Sequence, residues 1–394
     1  MNDSSVAMCD ADSVSWGREA RHLWPLEEGC TYLNHGAFGV TSNPVLDAAE
    51  KLRRTIDRQP ARFLREELPD RLRQSAAAVG KFLGGDGDDI VFVDNASTGV
   101  NAVLRSLVLL PGDEVVTTDH AYGAVLRTLE FVCERAGARL SFAHVPFPIH
   151  DPGDATDAIM SRVTPRTRLV VVDHITSMTA LKLPVHEIIH ECADRGIPVL
   201  VDGAHAPGSV PLRLNDQDPA WYVGNAHKWL GAPRGCGFIW THADRQSSLR
   251  PTTISHYVGE GYIRAFDWPG TKDFTPYLSV QDAIDFRAQW GEKEIYHYCR
   301  TLVRDGANML AEAWGTQRGA SDRMTAFMTT VEWPGAEKGT AKAAEELQLR
   351  LRHEFNLEVE VKPFADRLWI RFCAYIYNDM ADYEKLAQIG RTFM

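Results

Sequence analysis

Short apolar runs alternate with stretches of helical spacing along the first two-thirds of the chain. The runs Ile90–Val93, Glu114–Thr117, Leu140–Val145, Leu169–Asp173, Pro198–Asp202 and Cys236–Trp240 each predict a strand. Between them, Val100–Leu110, Gly123–Ala136 and Val185–Arg195 repeat apolar positions at the three- and four-residue interval of one helix face. Strands alternating with helices in this way predict an α/β unit with a mostly parallel sheet covered on both faces. Pro44–Arg58 and Leu68–Leu83 read as helices joining the N-terminus to that unit. Near Pro276 the pattern changes. Helix-like runs Leu278–Trp290 and Glu294–Trp314 precede short strands at Met324–Trp333, Leu357–Lys362 and Leu368–Phe372, and Asp382–Thr392 reads as a closing helix. The division expected is an N-terminal segment (1–30) packing on the small domain, a large domain (31–275) and a smaller α+β C-terminal domain (276–394).

Bulk properties narrow the field. With 394 residues, 44% hydrophobic and 24% charged, the chain has the balance of a globular protein large enough for two domains. A net charge of −11 argues against a nucleic-acid surface. No apolar run reaches the length that spans a bilayer, and Met1–Asp12 is polar and acidic, unlike a secretory signal. The seven cysteines are scattered without a C-x-x-C pair, which argues against zinc and disulfide frameworks and for a reducing cytoplasm.

Candidate chemistry centres on Asp202, at the end of an apolar run, and Lys228, 26 residues on in a loop of small and aromatic residues. In open α/β sheets, ligands sit beyond the carboxyl ends of the strands, where an acid and a lysine can reach one ligand from two sides. An aldehyde cofactor with a basic ring nitrogen needs such a pair: an amine for a Schiff base and an acid for the pyridinium. Ala226, Trp229, Leu230 and Ala232 supply the apolar surround that lowers a lysine pKa. His227, its neighbour, points the other way in extended backbone, toward a phosphate. Asp94-Asn-Ala-Ser-Thr-Gly-Val-Asn101 runs from strand to helix, so Ser97 and Thr98 stand at an anion-binding helix start or simply cap it. No G-x-x-x-x-G-K-[ST] or G-x-G-x-x-G competes. His205 could meet the ring oxygen. His120, with Tyr122 as competitor, could stack on a planar cofactor. Arg371, inside an apolar strand pattern, needs a carboxylate partner from the protein or a substrate.

These residues resemble the fold-type I, pyridoxal-phosphate-dependent enzymes of aminotransferase class V, and within that class the isopenicillin N epimerase-like group. The motifs are Tyr32-Leu-Asn-His-Gly-Ala-Phe-Gly39, Asp119-His-Ala-Tyr-Gly-Ala124, Asp202-Gly-Ala-His-Ala-Pro-Gly208, His227-Lys-Trp-Leu-Gly-Ala-Pro233 and Trp268-Pro-Gly-Thr-Lys-Asp273. The resemblance implies a seven-stranded sheet, a homodimer with shared active sites, and pyridoxal 5'-phosphate on Lys228. It implies Asp202 at the pyridine nitrogen, His205 near the ring hydroxyl and His120 on the ring face. Ser97, Thr98, Asn225 and His227 would bind phosphate, with Thr271 reaching the partner subunit's phosphate. Arg371 would take a substrate carboxylate, and Asn34 and His35 would line the substrate pocket. Lys228 would serve as base at Cα of an amino-acid-like substrate. The carbanion's fate then sets the reaction: epimerisation, which needs a second acid such as His120 or Tyr122; β-elimination; or transamination. A cofactor-free binding protein on the same fold is the rival from another class. Two departures stand close to the expected ring edge: Met178 where relatives carry proline, and Lys182 where an apolar residue is usual. The loop Pro334–Thr340 lacks the nucleophilic cysteine of desulfurases, which disfavours persulfide chemistry. Phe38, Tyr257 and Trp268 are candidate pocket aromatics.

Overall fold

The computed structural model describes residues 14–394. Seven strands form the central sheet: β1 Ile90–Val93, β2 Glu114–Thr118, β3 Arg139–Ala143, β4 Thr167–Asp173, β5 Val199–Gly203, β6 Trp221–Asn225 and β7 Gly237–Thr241. Their order is β1-β7-β6-β5-β4-β2-β3. β7 runs antiparallel to both neighbours, and the other pairings are parallel. Alternation with period two divides each strand between two cores. Val91, Val115, Val171, Leu200, Val223 and Ile239 face one, shared with helices α3 (Ala96–Ser106) and α4 (Gly123–Ala136). Phe92, Val116, Val172, Val201, Tyr222 and Phe238 face the other, larger one. Burial on both faces is why the strands read as unbroken apolar runs.

Helices α1 (Asn43–Arg58) and α2 (Leu68–Leu83) precede the sheet, and α5 (Pro152–Met160) and α6 (Val185–Ala193) complete its cover. The C-terminal third carries α7 (Val280–Ala288), α8 (Glu292–Trp314), α9 (Ala341–Phe355) and α10 (Met380–Arg391). Three antiparallel strands lie among them: β8 Met328–Glu332, β9 Glu360–Phe364 and β10 Arg367–Cys373, with β10 central. Three elements escape the sequence pattern. β6 ends on Gly-Asn and runs straight into the lysine loop, so it reads as part of that loop; Gly224 is small because a Cβ there would meet the Phe238 ring at 2.4 Å. α9 buries only Ala344, Leu347 and Leu351, too few apolar positions to outweigh its charges. α5 is short and opens on Pro-Gly, which reads as a turn.

The start of the chain threads the C-terminal region. Trp24 packs among Phe286, Trp290, Tyr375 and Tyr377. The Trp290 indole donates to the Ser15 carbonyl (2.9 Å), and Arg18 pairs with Asp379 (3.2 Å). Thr31–Tyr32 then pairs in parallel with Leu357–Glu358. α7 packs against α1 and α2. These contacts bring Asn34, Gly39, Arg287 and Arg371 to the carboxyl edge of the large sheet.

Candidate active site

Asp202 closes β5 and Asp173 closes β4, in register with each other. Both are buried. Burial pushes both carboxyls up, and Asp173 is raised further by the charge of Asp202 beside it. Ala204 N–H donates to Asp202 (2.9 Å), and the Lys228 ammonium opposes the upward shift. A carboxylate this poorly solvated stays ionised best with a cation against it, as a protonated ring nitrogen provides.

Lys228 follows β6. Its Nζ lies 3.2 Å from His205 Nε2. Burial and then the Arg371 guanidinium lower its pKa from 10.5 to about 8. The loop carrying it is locked from three sides. Gly39, at φ 69°, lies so close that a Cβ would meet the His227 carbonyl at 1.9 Å. Gly208, at φ 84°, approaches the Trp229–Leu230 peptide in the same way. The buried Arg287 donates to the Trp229 carbonyl (2.6 Å) and the Gly208 carbonyl (3.0 Å), and its charge is met by Glu292 (2.6 Å). It therefore staples the lysine loop to the turn after Asp202. Sequence reasoning missed Arg287; the available signal was an arginine on the apolar side of α7.

His35 also belongs to this support. It is fully buried, with Nδ1 on the Tyr377 hydroxyl (2.9 Å), Nε2 on the Lys228 carbonyl (3.1 Å) and its ring stacked 3.8 Å from Tyr375. Burial lowers its pKa to about 3. Both nitrogens are engaged by protein, so His35 backs the lysine loop and does not line a substrate pocket.

The phosphate candidates gather where α3 begins. Asn95, not Ser97 or Thr98, caps the helix, accepting from Thr98 N–H (3.0 Å). Asn225 accepts from Ala96 N–H (2.8 Å). That leaves the Ser97 N–H and hydroxyl without a partner among the described residues, the open donors an anion needs. His227 Nδ1 is bonded to the Cys236 carbonyl (2.9 Å), and burial lowers its pKa to about 4. Thr271 is exposed, on the segment where Lys272 pairs with Asp94.

On the other side stand His120 and Arg371. His120 is fully buried, with Nδ1 on the Thr179 hydroxyl (2.7 Å) and Nε2 on the Val145 carbonyl (3.0 Å). A carbonyl accepts only, so Nε2 carries a proton. The two bonds fix the ring plane, and burial lowers its pKa from the usual 6.5. Arg371, central in β10 and buried, donates to Ser177 and, at 3.4 Å, to Asn34. It makes no ion pair among the described residues, and its Nε has no partner. Asn34 holds Glu360 (3.0 Å), which is itself paired with Lys362 (2.5 Å). A buried guanidinium short of a carboxylate is a site for one.

Two other expectations change, at Lys182 and Phe38. Lys182 does not sit at the ring edge: it lines a separate cavity with His174, Arg300 and Arg323. Phe38 is 68% exposed, whereas Tyr257 and Trp268 share a cavity of about 710 Å³ with α2. Cys373 is buried, and its thiol, which accepts from Gly36 N–H, is pushed up to about 11 by burial.

One prediction follows from the Lys228 value. Only the neutral amine attacks a carbonyl. Stopped-flow capture of a pyridoxal aldehyde by cofactor-free enzyme should rise about tenfold per pH unit below about 8 and level above it. Arg371→Ala should move the bend toward alkaline pH; an unmoved bend would show that the guanidinium does not act on the amine.

The chain belongs to the aminotransferase class-V family, which it matches over residues 31–385. It is 32% identical to a putative L-cysteine desulfhydrase 1 of Oryza sativa subsp. japonica, over 91% of this chain and 82% of that protein. It is 30% identical to an isopenicillin N epimerase of Streptomyces clavuligerus, over 95% and 98% respectively. Its fold is similar to that of the cystine C–S lyase C-DES, in a mutant form with glycine covalently linked to the PLP cofactor. The TM-score is 0.81 at 23% identity, covering 95% of this chain and 99% of that one.

Proposed function

We propose that this protein is a pyridoxal-phosphate-dependent enzyme acting at Cα of an amino acid or amino-acid-like substrate. The observation that carries the reading is the convergence of a lysine with a lowered pKa, a buried strand-end acid and a buried arginine without a carboxylate. When bound, the cofactor supplies an electrophilic carbonyl and an electron-withdrawing pyridinium ring. The residues fit it: His205 Nδ1 is buried without a partner, the buried Asp202 carboxylate is bonded to the Ala204 N–H, and Ser97 offers open donors. Asn225 and His227 flank the phosphate position, and Thr98 stands one residue beyond Ser97. Thr271 is exposed and available to a second subunit's phosphate, which goes with a cytoplasmic homodimer sharing its sites. No helix among the described residues is long and apolar enough to cross a membrane.

Arg371 and Asn34 orient the substrate carboxylate. The Lys228 amine would take the Cα proton. Return of a proton to the opposite face inverts Cα, as an epimerase-like enzyme requires. β-Elimination is the second reading, and one observation favours it: both His120 nitrogens are held by protein, so His120 is not ready as a second acid. In elimination the Cα–H electron pair forms a Cα–Cβ double bond, the Cβ–S pair leaves with sulfur, and hydrolysis gives a keto acid and ammonia.

Incubation of the cofactor-loaded enzyme in deuterium oxide with a panel of α-amino acids, including cysteine, should label Cα. An inverted, deuterated amino acid identifies epimerisation, and keto acid with ammonia identifies elimination. No exchange with any member, in protein that also develops no visible cofactor band, would defeat the proposal.

A further inference from the structure

The base of the 174–183 hairpin lines a cavity of about 420 Å³ that no step of the proposed chemistry uses. That volume lies in the range of small-molecule pockets. His174, 6% exposed, contributes a ring whose Nδ1 is bonded to the Tyr222 hydroxyl (2.8 Å) and whose Nε2 has no partner. Lys182 and Arg300 line the same space, and neither pairs with a carboxylate among the described residues. Arg300 is held instead by the Asp322 carbonyl (2.8 Å), which fixes its guanidinium. Arg323 adds a third cation, only loosely met by Asp151 at 3.7 Å. α6 begins at this wall, with Val185, His186 and Glu187 lining it, and the His186 and Glu187 N–H groups precede the first α-helical bond, Ile188 N–H to Pro184. Glu187 is the one carboxylate in the lining.

Three cations around one cavity repel each other, and in a chain of net charge −11 they are the reverse of the general balance. Burial and the neighbouring Arg300 already hold the Lys182 amine below its usual range. An anion placed among them removes that repulsion and meets the free helix-start donors. We propose that this cavity binds a small anionic metabolite through its phosphate or carboxylate oxygens, with Lys182, Arg300 and Arg323 as its cations and His174 Nε2 as a polar contact.

The test uses the cofactor-loaded enzyme, so that the cofactor phosphate position is already filled. Inorganic phosphate and succinate are titrated by calorimetry at constant ionic strength, against chloride. Saturable binding is expected for at least one; phosphate alone indicates a phosphoryl ligand and succinate alone a carboxylate one. Lys182→Met should weaken it about tenfold or more, the worth of one charged hydrogen bond. Arg323→Met, at an exposed position, should weaken it as well and guards against a folding defect in the first variant. Arg371→Ala should leave phosphate binding unchanged. Absence of binding, equal binding in both cavity variants, or loss only in Arg371→Ala would overturn the proposal. Because the cofactor band is read in the same samples, failure of the cofactor reading is seen separately.

Discussion

Replacing Lys228 with alanine removes the visible cofactor band and lowers turnover at Cα by at least about 10³-fold. On the proposed mechanism the lysine holds two roles in sequence, anchor and base, and among the described residues its Nζ is hydrogen-bonded only to the His205 ring. Absorbance after cofactor loading and Cα exchange in deuterium oxide together measure the loss. Retention of both would remove Lys228 from the mechanism. The variant should also fold well. Lys228 has a folded pKa of about 8 against 10.5 unfolded, so burying its charge carries a stability cost that is fully present below pH 8. In cofactor-free protein the alanine variant should therefore melt higher than wild type below pH 8. That advantage should fade as pH climbs from 8 to 10.5, since above both values the amine is neutral folded or unfolded.

Arg287→Met should cost about 3 kcal/mol of stability. The guanidinium is 1% exposed and bridges two carbonyls from loops 58 and 79 residues away in sequence, with Glu292 answering its charge. Removing it strands the Gly208 carbonyl, leaves the Trp229 carbonyl to the Tyr375 hydroxyl alone (3.2 Å), and frees the lysine loop from the turn after Asp202. Arg287→Lys should fail to rescue, because a point charge cannot serve two carbonyls and a carboxylate in one plane. Thermal melting measures the first effect. Cofactor dissociation measures the second: it should be faster than in a core variant of equal stability loss, such as Leu310→Ala. Equal rates would make Arg287 a stability residue alone.

What the chain discloses to a reader follows from the range of each interaction. Asp202 and Lys228 are legible because their local context is diagnostic: an acid ending an apolar run, a lysine among small residues. Arg371 is legible because a charge in an apolar strand demands an explanation, and the absence of an ion pair supplies one. The sheet was legible except for β6, whose residues are chosen for the neighbouring Phe238 ring as much as for strand pattern. Arg287 and His35 were illegible as site residues because their partners are carbonyls, which every residue has and which no sequence pattern marks. Lys182 misled by adjacency: it lies near the ring-edge motif in sequence, but the hairpin turns its base toward a different cavity. Asn95 was passed over as a cap in favour of the hydroxyls that follow it, which are thereby left free.

That hairpin has a consequence for how this enzyme can diversify. Ser177 secures Arg371, while Thr179, two positions on, secures His120. Met178 lies between them, and Ala180 completes the turn at φ 57°, a conformation a side chain adopts reluctantly. The supports of Arg371 and His120 thus share one short piece of backbone. A change at Met178 reaches both, so on the proposed roles of Arg371 and His120 this stretch is under epistatic constraint. New specificities are accessible chiefly through compensated sets of substitutions at 177–180 rather than one position at a time.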